Sequence, residues 1–129
     1  MIFRPYDRLE AVIYAHRWAY SHNPSFYDYE ELGGDCTNFA SQCIYAGTGI
    51  MNFTPSYGWY YIDPDDKAPA WTGVEYLHNF LTRRTPSAGP FAGEVPPERI
   101  RPGDIVQLSF DGAGWQHSPG VVAADRPRS

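Results

Sequence analysis

The stretch "GGDCTNFASQC", in the first half of this 129-residue chain, constrains the fold most strongly. Its glycine pair breaks regular structure, and an acid and a cysteine then open a run with apolar residues at helical spacing. Asp35 is a residue type that caps helices at their N-terminus, and Gly47 suits the left-handed position that often ends one. We therefore predict a helix that begins at Cys36 or Thr37 and ends at Ala46.

Two further helices are predicted from the spacing of apolar residues. The first runs from about Asp7 to Tyr20 and opens with an acidic capping box of Asp7 and Glu10. The other starts at Thr72, whose capping partner is Glu75. The side chains expected to be buried are Leu9, Val12, Ile13, His16 and Tyr20 in the first helix, Cys36, Phe39, Ala40, Cys43 and Ile44 in the second, and Val74, Leu77, Phe80 and Leu81 in the third.

The remaining segments indicate an α+β fold. Residues 48–70 look irregular, although "YGWYYIDPDD" within them is too aromatic for a plain linker and is expected to lie over the core or a cleft. The end of the chain is typical of a hairpin, with "DIVQLSF" as one strand, "DGAGWQ" as the turn and "HSPGVVAAD" as a weaker strand. Helices that precede strands are an α+β pattern.

Length and charge exclude several classes of protein. The length predicts a single domain over residues 1–129. A net charge of −5 argues against a nucleic-acid partner, which needs a basic surface. No apolar run approaches the roughly 20 residues that span a membrane. No export signal is visible at the N-terminus, so a signal for an exported protein would lie outside this chain.

The cysteine before the predicted second helix has the features of a nucleophile. A helix N-terminus favours the thiolate form of a cysteine, and its N–H groups can also stabilise an oxyanion. The charge of Asp35 opposes thiolate formation unless its side chain points away. The alternative is that Cys36 is a small buried apolar residue, as Cys43 is expected to be. On one helix the two sulfurs would be about 10 Å apart along the axis, too far for a disulfide.

A nucleophilic cysteine needs a base, and His117 is the best candidate of the four histidines. It begins the second strand of the predicted hairpin, a rigid position from which an imidazole can face a helix N-terminus. His16 is interpreted as a core or boundary residue, His22 as solvated, and His78 as a neighbour of a buried stripe.

No metal or cofactor is expected. The spacings of histidine and cysteine do not resemble a zinc site. The acidic "DPDD" lacks the glycine and the final glutamate of a calcium loop, and we interpret it as a solvated turn.

Several motifs together resemble a known family. "GGDCTNFASQC", "GWYY", "WTGVEYLHNFL", "GPF", "RPGDIVQL" and a final "HS" are similar to the putative amidase domain family, related to the papain-like NlpC/P60 and CHAP cell-wall hydrolases. The resemblance implies a papain-like (NlpC/P60-like) fold, with N-terminal helices packed on a small antiparallel sheet. It also implies a bacterial cysteine hydrolase with Cys36 as nucleophile and His117 as base. The location is not given by the sequence, and the resemblance allows the cell envelope or the outside of the cell.

The C-terminus departs from that family. In the resembling proteins, the strand after the histidine leads into further sheet that supplies a residue orienting the imidazole. Here the C-terminal strands are expected to be truncated, and eight residues of strand would carry Asp125 about 26 Å from His117. The third catalytic residue is then absent, replaced or lent by another copy. An exposed sheet edge would also favour a homodimer.

Two hypotheses of function follow. The first is an amide or peptide hydrolase whose substrate is a short peptide, such as one from the cell wall; transfer of the acyl group to another acceptor is not excluded. The second is a catalytically impaired domain that binds a peptide or protein partner in the same cleft. The residues expected to line the cleft are Asp35, Tyr57, Trp59, Tyr60, Tyr61 and Trp115. Packing in the core is the alternative for these aromatic side chains.

Overall fold

The computed structural model describes residues 5–27, 35–54, 58–84 and 89–105. Two main helices come first, followed by a pair of antiparallel strands and two shorter helices. The elements are α1 (Arg8–Trp18), α2 (Asp35–Thr48), β1 (Tyr61–Asp63), β2 (Asp66–Lys67), α3 (Pro69–Thr72), α4 (Val74–Leu81) and a 3-10 helix (Pro97–Arg99). This mixture of helices and a small antiparallel sheet confirms the predicted α+β class.

Helix α1 begins as predicted but buries a different face. The Asp7 side chain caps it by accepting a hydrogen bond from the Glu10 backbone N–H at 3.1 Å. The prediction that a stripe including Leu9 is buried is wrong, because Leu9 is 67% exposed. The buried residues are instead Ala11 and Ala15, on the side that packs against α2. Small side chains allow the two helix backbones to lie close together. The other exposed members of the predicted stripe are Ile13, His16 and Tyr20.

Gly47 serves this close packing rather than a helix end. Helix α2 continues through it to Thr48, and the left-handed glycine is Gly49, with φ of +72°. The Gly47 carbonyl oxygen accepts a hydrogen bond from the Asp7 N–H at 2.8 Å. A Cβ atom at Gly47 would lie 2.8 Å from the Asp7 carbonyl oxygen and against the Tyr6 ring. Because α2 ends at Thr48, the predicted end at Ala46 is two residues too early.

The start of α2 also differs from the prediction. Asp35 is the first residue of the helix, so it belongs to the first turn instead of preceding it. Helix ends commonly shift by one or two residues in this way. The predicted inner face is confirmed for Ala40, Cys43 and Ile44, whereas Cys36 is only partly buried.

Two tryptophan rings form the centre of the core. Trp59 and Trp71 are fully buried, with their ring centroids 4.8 Å apart. Phe26 stacks on Trp71 at 5.8 Å, and Phe80 of α4 stacks on Trp59 at 6.1 Å. The stripe predicted for the third helix is confirmed in its buried members Leu77, Phe80 and Leu81.

The predicted capping box before α4 is wrong. Thr72 ends the short helix α3 instead of capping α4, and Gly73 occupies the cap position without a side-chain hydrogen bond. The chain turns tightly there, since a Cβ atom on Gly73 would lie 3.0 Å from the Pro69 carbonyl oxygen. A proline at the first position of α3 favours a separate turn of helix.

The segment predicted to be irregular contains the described sheet. Tyr61 pairs with Lys67 and Asp63 with Asp66 in the antiparallel hairpin of β1 and β2. The connecting turn is exposed, as predicted for "DPDD", and the Asp65 N–H donates to Asp63 Oδ1 at 2.8 Å. The hairpin predicted after Asp104 lies almost entirely outside the described residues.

The "RPGD" motif forms a turn that is held against α1. The Asp104 N–H donates to the Arg101 carbonyl oxygen at 3.0 Å, and Gly103 has φ of +92°. Proline followed by a glycine of positive φ is the pattern of a type II turn. Arg8 pairs with Asp104 at 2.5 Å, and the Tyr6 hydroxyl donates to the Gly103 carbonyl oxygen at 2.8 Å.

Candidate active site

The two cysteines have different environments on the same helix. Cys36 lies in the first turn of α2 and is partly exposed, whereas Cys43 is 4% exposed in its middle. Both belong to the described chain, and they form no disulfide with each other. Burial raises the pKa of the Cys43 thiol to about 12, so this thiol stays protonated at neutral pH. Cys43 therefore matches the predicted inert apolar residue.

The predicted base is not placed by the structure. His117 and the predicted cleft residue Trp115 lie outside the described residues, so the pairing of Cys36 with His117 stays a prediction. Two other histidines have polar partners: His22 Nε2 contacts the Phe26 carbonyl oxygen, and His78 Nε2 lies 2.8 Å from Glu94 Oε1.

The predicted cleft aromatics divide into two groups. Trp59 and Tyr61 are buried in the core cluster, at 0% and 5% exposure, so packing accounts for them and they do not line an open cleft. Tyr60 is partly exposed and stacks on the exposed Phe53 ring at 5.2 Å. Its place in a cleft stays a prediction, as does that of Asp35. Tyr57 falls in a gap between the described segments.

Two buried indole N–H groups donate hydrogen bonds to side chains of α2 that follow Cys36. The Trp71 ring nitrogen Nε1 donates to Asn38 Oδ1 at 2.9 Å, and the Trp59 Nε1 donates to Ser41 Oγ at 3.0 Å. The Ser41 hydroxyl in turn donates to the Trp71 carbonyl oxygen at 2.9 Å. Neither Asn38 nor Ser41 is exposed at all. These four side chains form what we call the indole network.

Tyr27, the last residue described before α2, is attached to the same network. Asn38 Nδ2 donates to the Tyr27 carbonyl oxygen at 3.0 Å, and the Tyr27 N–H donates to the Tyr61 hydroxyl at 2.8 Å. The peptide groups of Tyr27 are thus held on both sides. Sequence reasoning missed this arrangement; its signal was a pair of polar residues, Asn38 and Ser41, on the side of α2 opposite the face predicted to pack inward.

A separate groove of about 500 Å³ lies between α1 and the segment that follows it. Its walls include Tyr14, Trp18 and Asn23 but neither cysteine nor any predicted cleft residue. The Tyr14 hydroxyl donates to Gln42 Oε1 and accepts from Asn23 Nδ2 at 3.2 Å. Burial raises the pKa of Tyr14 to about 12.

Within the described ranges, no group of three or more histidine, cysteine or acidic side chains has the arrangement to hold a metal ion. None of the described helices combines the length and apolar character needed to cross a bilayer.

Comparison with known proteins identifies relatives of this chain. A family profile described as "Putative amidase domain" matches residues 5–129. The uncharacterized protein YhbB of Bacillus subtilis (strain 168) is 34% identical over 124 residues, which cover 94% of this chain and 38% of that protein. The chain thus spans well under half of that relative's length. No solved structure matches the chain.

Proposed function

Because this chain belongs to the putative amidase domain family, we propose that it is a hydrolase of amide bonds with Cys36 as its nucleophile. The family description supports a hydrolase-type activity on amides. The observation that carries the cysteine assignment is the position of Cys36 in the first turn of α2, where it is partly exposed. Cys43, buried and protonated in the same helix, does not meet these requirements.

The proposed reaction has two steps. In the first, the Cys36 thiolate attacks the carbonyl carbon, the carbonyl electrons move to the oxygen, and backbone N–H groups at the start of α2 stabilise the resulting oxyanion. The C–N bond then breaks, and protonated His117 gives its proton to the departing amine. In the second step, a water molecule loses a proton to His117 and attacks the thioester, which releases the acid and restores Cys36.

The substrate and the wider fold belong to the same proposal. We propose a short peptide, such as a cell-wall peptide, as the substrate, with Tyr60, Trp115 and Asp35 beside the reacting bond. The proposed fold is papain-like, with the helix that carries the nucleophile packed on an antiparallel sheet, and His117 on that sheet. The domain accounts for only part of the relative's length, so the activity of the longer protein is proposed on the same basis.

Hydrolysis of peptide amides and cell-wall peptides by purified variants tests this function. We expect Cys36→Ala and His117→Ala to lose at least a hundredfold in kcat/KM. Cys43→Ala is the matched control, because it removes the other thiol of the same helix, and it should retain activity within a fewfold. Full activity in Cys36→Ala would contradict the proposal.

Alkylation with iodoacetamide provides a second test that needs no substrate. Each cysteine is followed by mass spectrometry of its own peptide across a range of pH. We expect Cys36 to react far faster than Cys43, which is protonated and buried. Equally slow labelling of both thiols would favour the alternative function, a domain that binds a peptide or protein partner without catalysis.

A further inference from the structure

The polar face of α2 is buried, and two tryptophan rings supply its hydrogen bonds. Asn38 and Ser41 have no exposed surface, and each accepts a bond from a different indole N–H, at 2.9 and 3.0 Å. An indole has one donor and no acceptor, so each ring is matched to a single polar atom of the helix. Loss of either bond would leave a buried indole N–H without its acceptor, which proteins rarely tolerate.

These bonds fix the rotation of α2 about its axis. Side chains around most of its circumference are buried, including Thr37, Ala40 and Ile44. The hydrophobic effect has no direction, so apolar burial alone defines that rotation weakly. Hydrogen bonds are directional. A rotation by one residue, about 100°, would move Asn38 and Ser41 away from both rings.

The rotation of α2 decides where the Cys36 sulfur points. With about 100° per residue, Asn38 lies about 200° and Ser41 about 140° around the helix from Cys36. The indole network therefore holds the side of α2 opposite Cys36. The buried Ala40 and Cys43 lie on the same side as Cys36, which is itself partly exposed in the first turn. Asn38 also donates to the Tyr27 carbonyl oxygen, so the same side chain holds Tyr27, the last residue described before α2.

We propose that Asn38 and Ser41 are positioning residues for the nucleophile. Through their bonds to Trp71 and Trp59 they set the direction of the Cys36 thiol relative to the first turn of α2. This inference rests on the proposed function, because it takes Cys36 to be the reactive group.

The test measures the iodoacetamide labelling rates of both cysteines in the folded protein across pH. Cys43 reports unfolding, because it is buried and becomes accessible only when the core opens. In Asn38→Ala and Ser41→Ala we expect the Cys36 rate to fall at least tenfold, with an altered pH profile, while Cys43 stays protected. Leu77→Ala is the control, since it weakens the same core but removes no polar group. It should leave the Cys36 rate and profile unchanged.

The outcomes separate this inference from the proposed function. A Cys36 rate within twofold of wild type in both variants, with Cys43 protected, would overturn the positioning role and leave the nucleophile intact. A wild-type Cys36 that labels no faster than Cys43 would overturn both. If Asn38→Ala unfolds, as shown by rapid labelling of Cys43, Ser41→Ala decides the question, because it removes only one hydroxyl.

Discussion

Tyr14 joins three segments of the chain through one hydroxyl group. It donates to Gln42 of α2, which is only 2% exposed, and accepts from Asn23 in the segment after α1. We expect Tyr14→Phe to lower the free energy of unfolding by about 1 to 3 kcal/mol, because the Gln42 oxygen loses its donor in a buried place. Chemical denaturation at pH 7 measures the change. Tyr20→Phe, at a fully exposed site, is the control and should have no effect.

The same residue predicts a dependence of stability on alkaline pH. Burial raises the pKa of Tyr14 from 10.0 to about 12, so folding favours its neutral form. Its contribution to stability is fully present below pH 10 and is lost as the pH rises from 10 through 12. Unfolding curves at pH 9 to 12 should therefore decline less steeply in Tyr14→Phe than in wild type. Parallel curves for the two proteins would contradict this assignment.

At the scale of elements, the contact between α1 and α2 depends on Gly47. Alanine is favoured over glycine in a helix by about 1 kcal/mol. A methyl group here, however, would meet the Asp7 carbonyl oxygen and the Tyr6 ring, which its own bond to Gly103 holds in place. We expect the clash to dominate and Gly47→Ala to destabilise the protein by about 1 to 3 kcal/mol.

Gly93→Ala is the matched control for that substitution. No atom lies within 4 Å of a Cβ atom built on Gly93, so its unfolding free energy should stay within about 0.5 kcal/mol of wild type. Equal stability of the two variants would show that α1 moves aside without cost.

The exposed stripe of α1 gives a direct comparison between two faces of one helix. Leu9 is 67% exposed, and we expect Leu9→Gln to change stability by less than about 0.5 kcal/mol. Ala15 is buried against α2, so Ala15→Leu should cost about 1 to 3 kcal/mol through overpacking. Thermal and denaturant unfolding measure both. A larger loss of stability in Leu9→Gln than in Ala15→Leu would instead support the buried face predicted from the apolar spacing.

Helices were more predictable from the sequence than the faces they bury. The cap at Asp7 is a local interaction between residues three apart, and the sequence therefore contains all of it. The buried face of α1 depends on how closely α2 approaches, which small residues such as Ala11 decide and apolar spacing does not reveal. Strands β1 and β2 have only three and two residues, too few for a period to be recognised.

At the scale of the whole molecule, only those features of the candidate site that depend on neighbouring residues could be predicted from the sequence. The sequence placed Cys36 correctly at the start of a helix, because a glycine pair and an acid precede it. The indole network was missed because its donors lie far away in the chain: Trp71 bonds Asn38 across 33 residues, and Trp59 bonds Ser41 across 18. Polar spacing within α2 does not identify partners at such separations. The role of His117 stays a prediction.

At the scale of the whole chain, Arg8 and Asp104 form an ion pair that joins positions 96 residues apart. It holds the "RPGD" turn, which precedes the segment with His117 in sequence, against the helix that packs on α2. Their side chains are 31% and 21% exposed, so solvent screens the pair only in part. A double-mutant cycle with Arg8→Ala and Asp104→Ala should give a coupling energy of about 1 kcal/mol in dilute buffer.

The cycle is suited to this pair because each residue has a second role. Asp104 Oδ2 accepts the Arg101 N–H within the turn, and the Arg8 guanidinium also donates to the Pro102 carbonyl oxygen at 3.1 Å. The cycle removes these separate contributions. We expect the coupling to fall by about half in 1 M salt, since ions screen the charges but not the turn. A cycle of Arg8 with the exposed Asp66 is the control and should show no coupling. If Arg8 and Asp104 also prove additive, the turn is held to α1 by Tyr6 and packing at Gly103 instead of by charge.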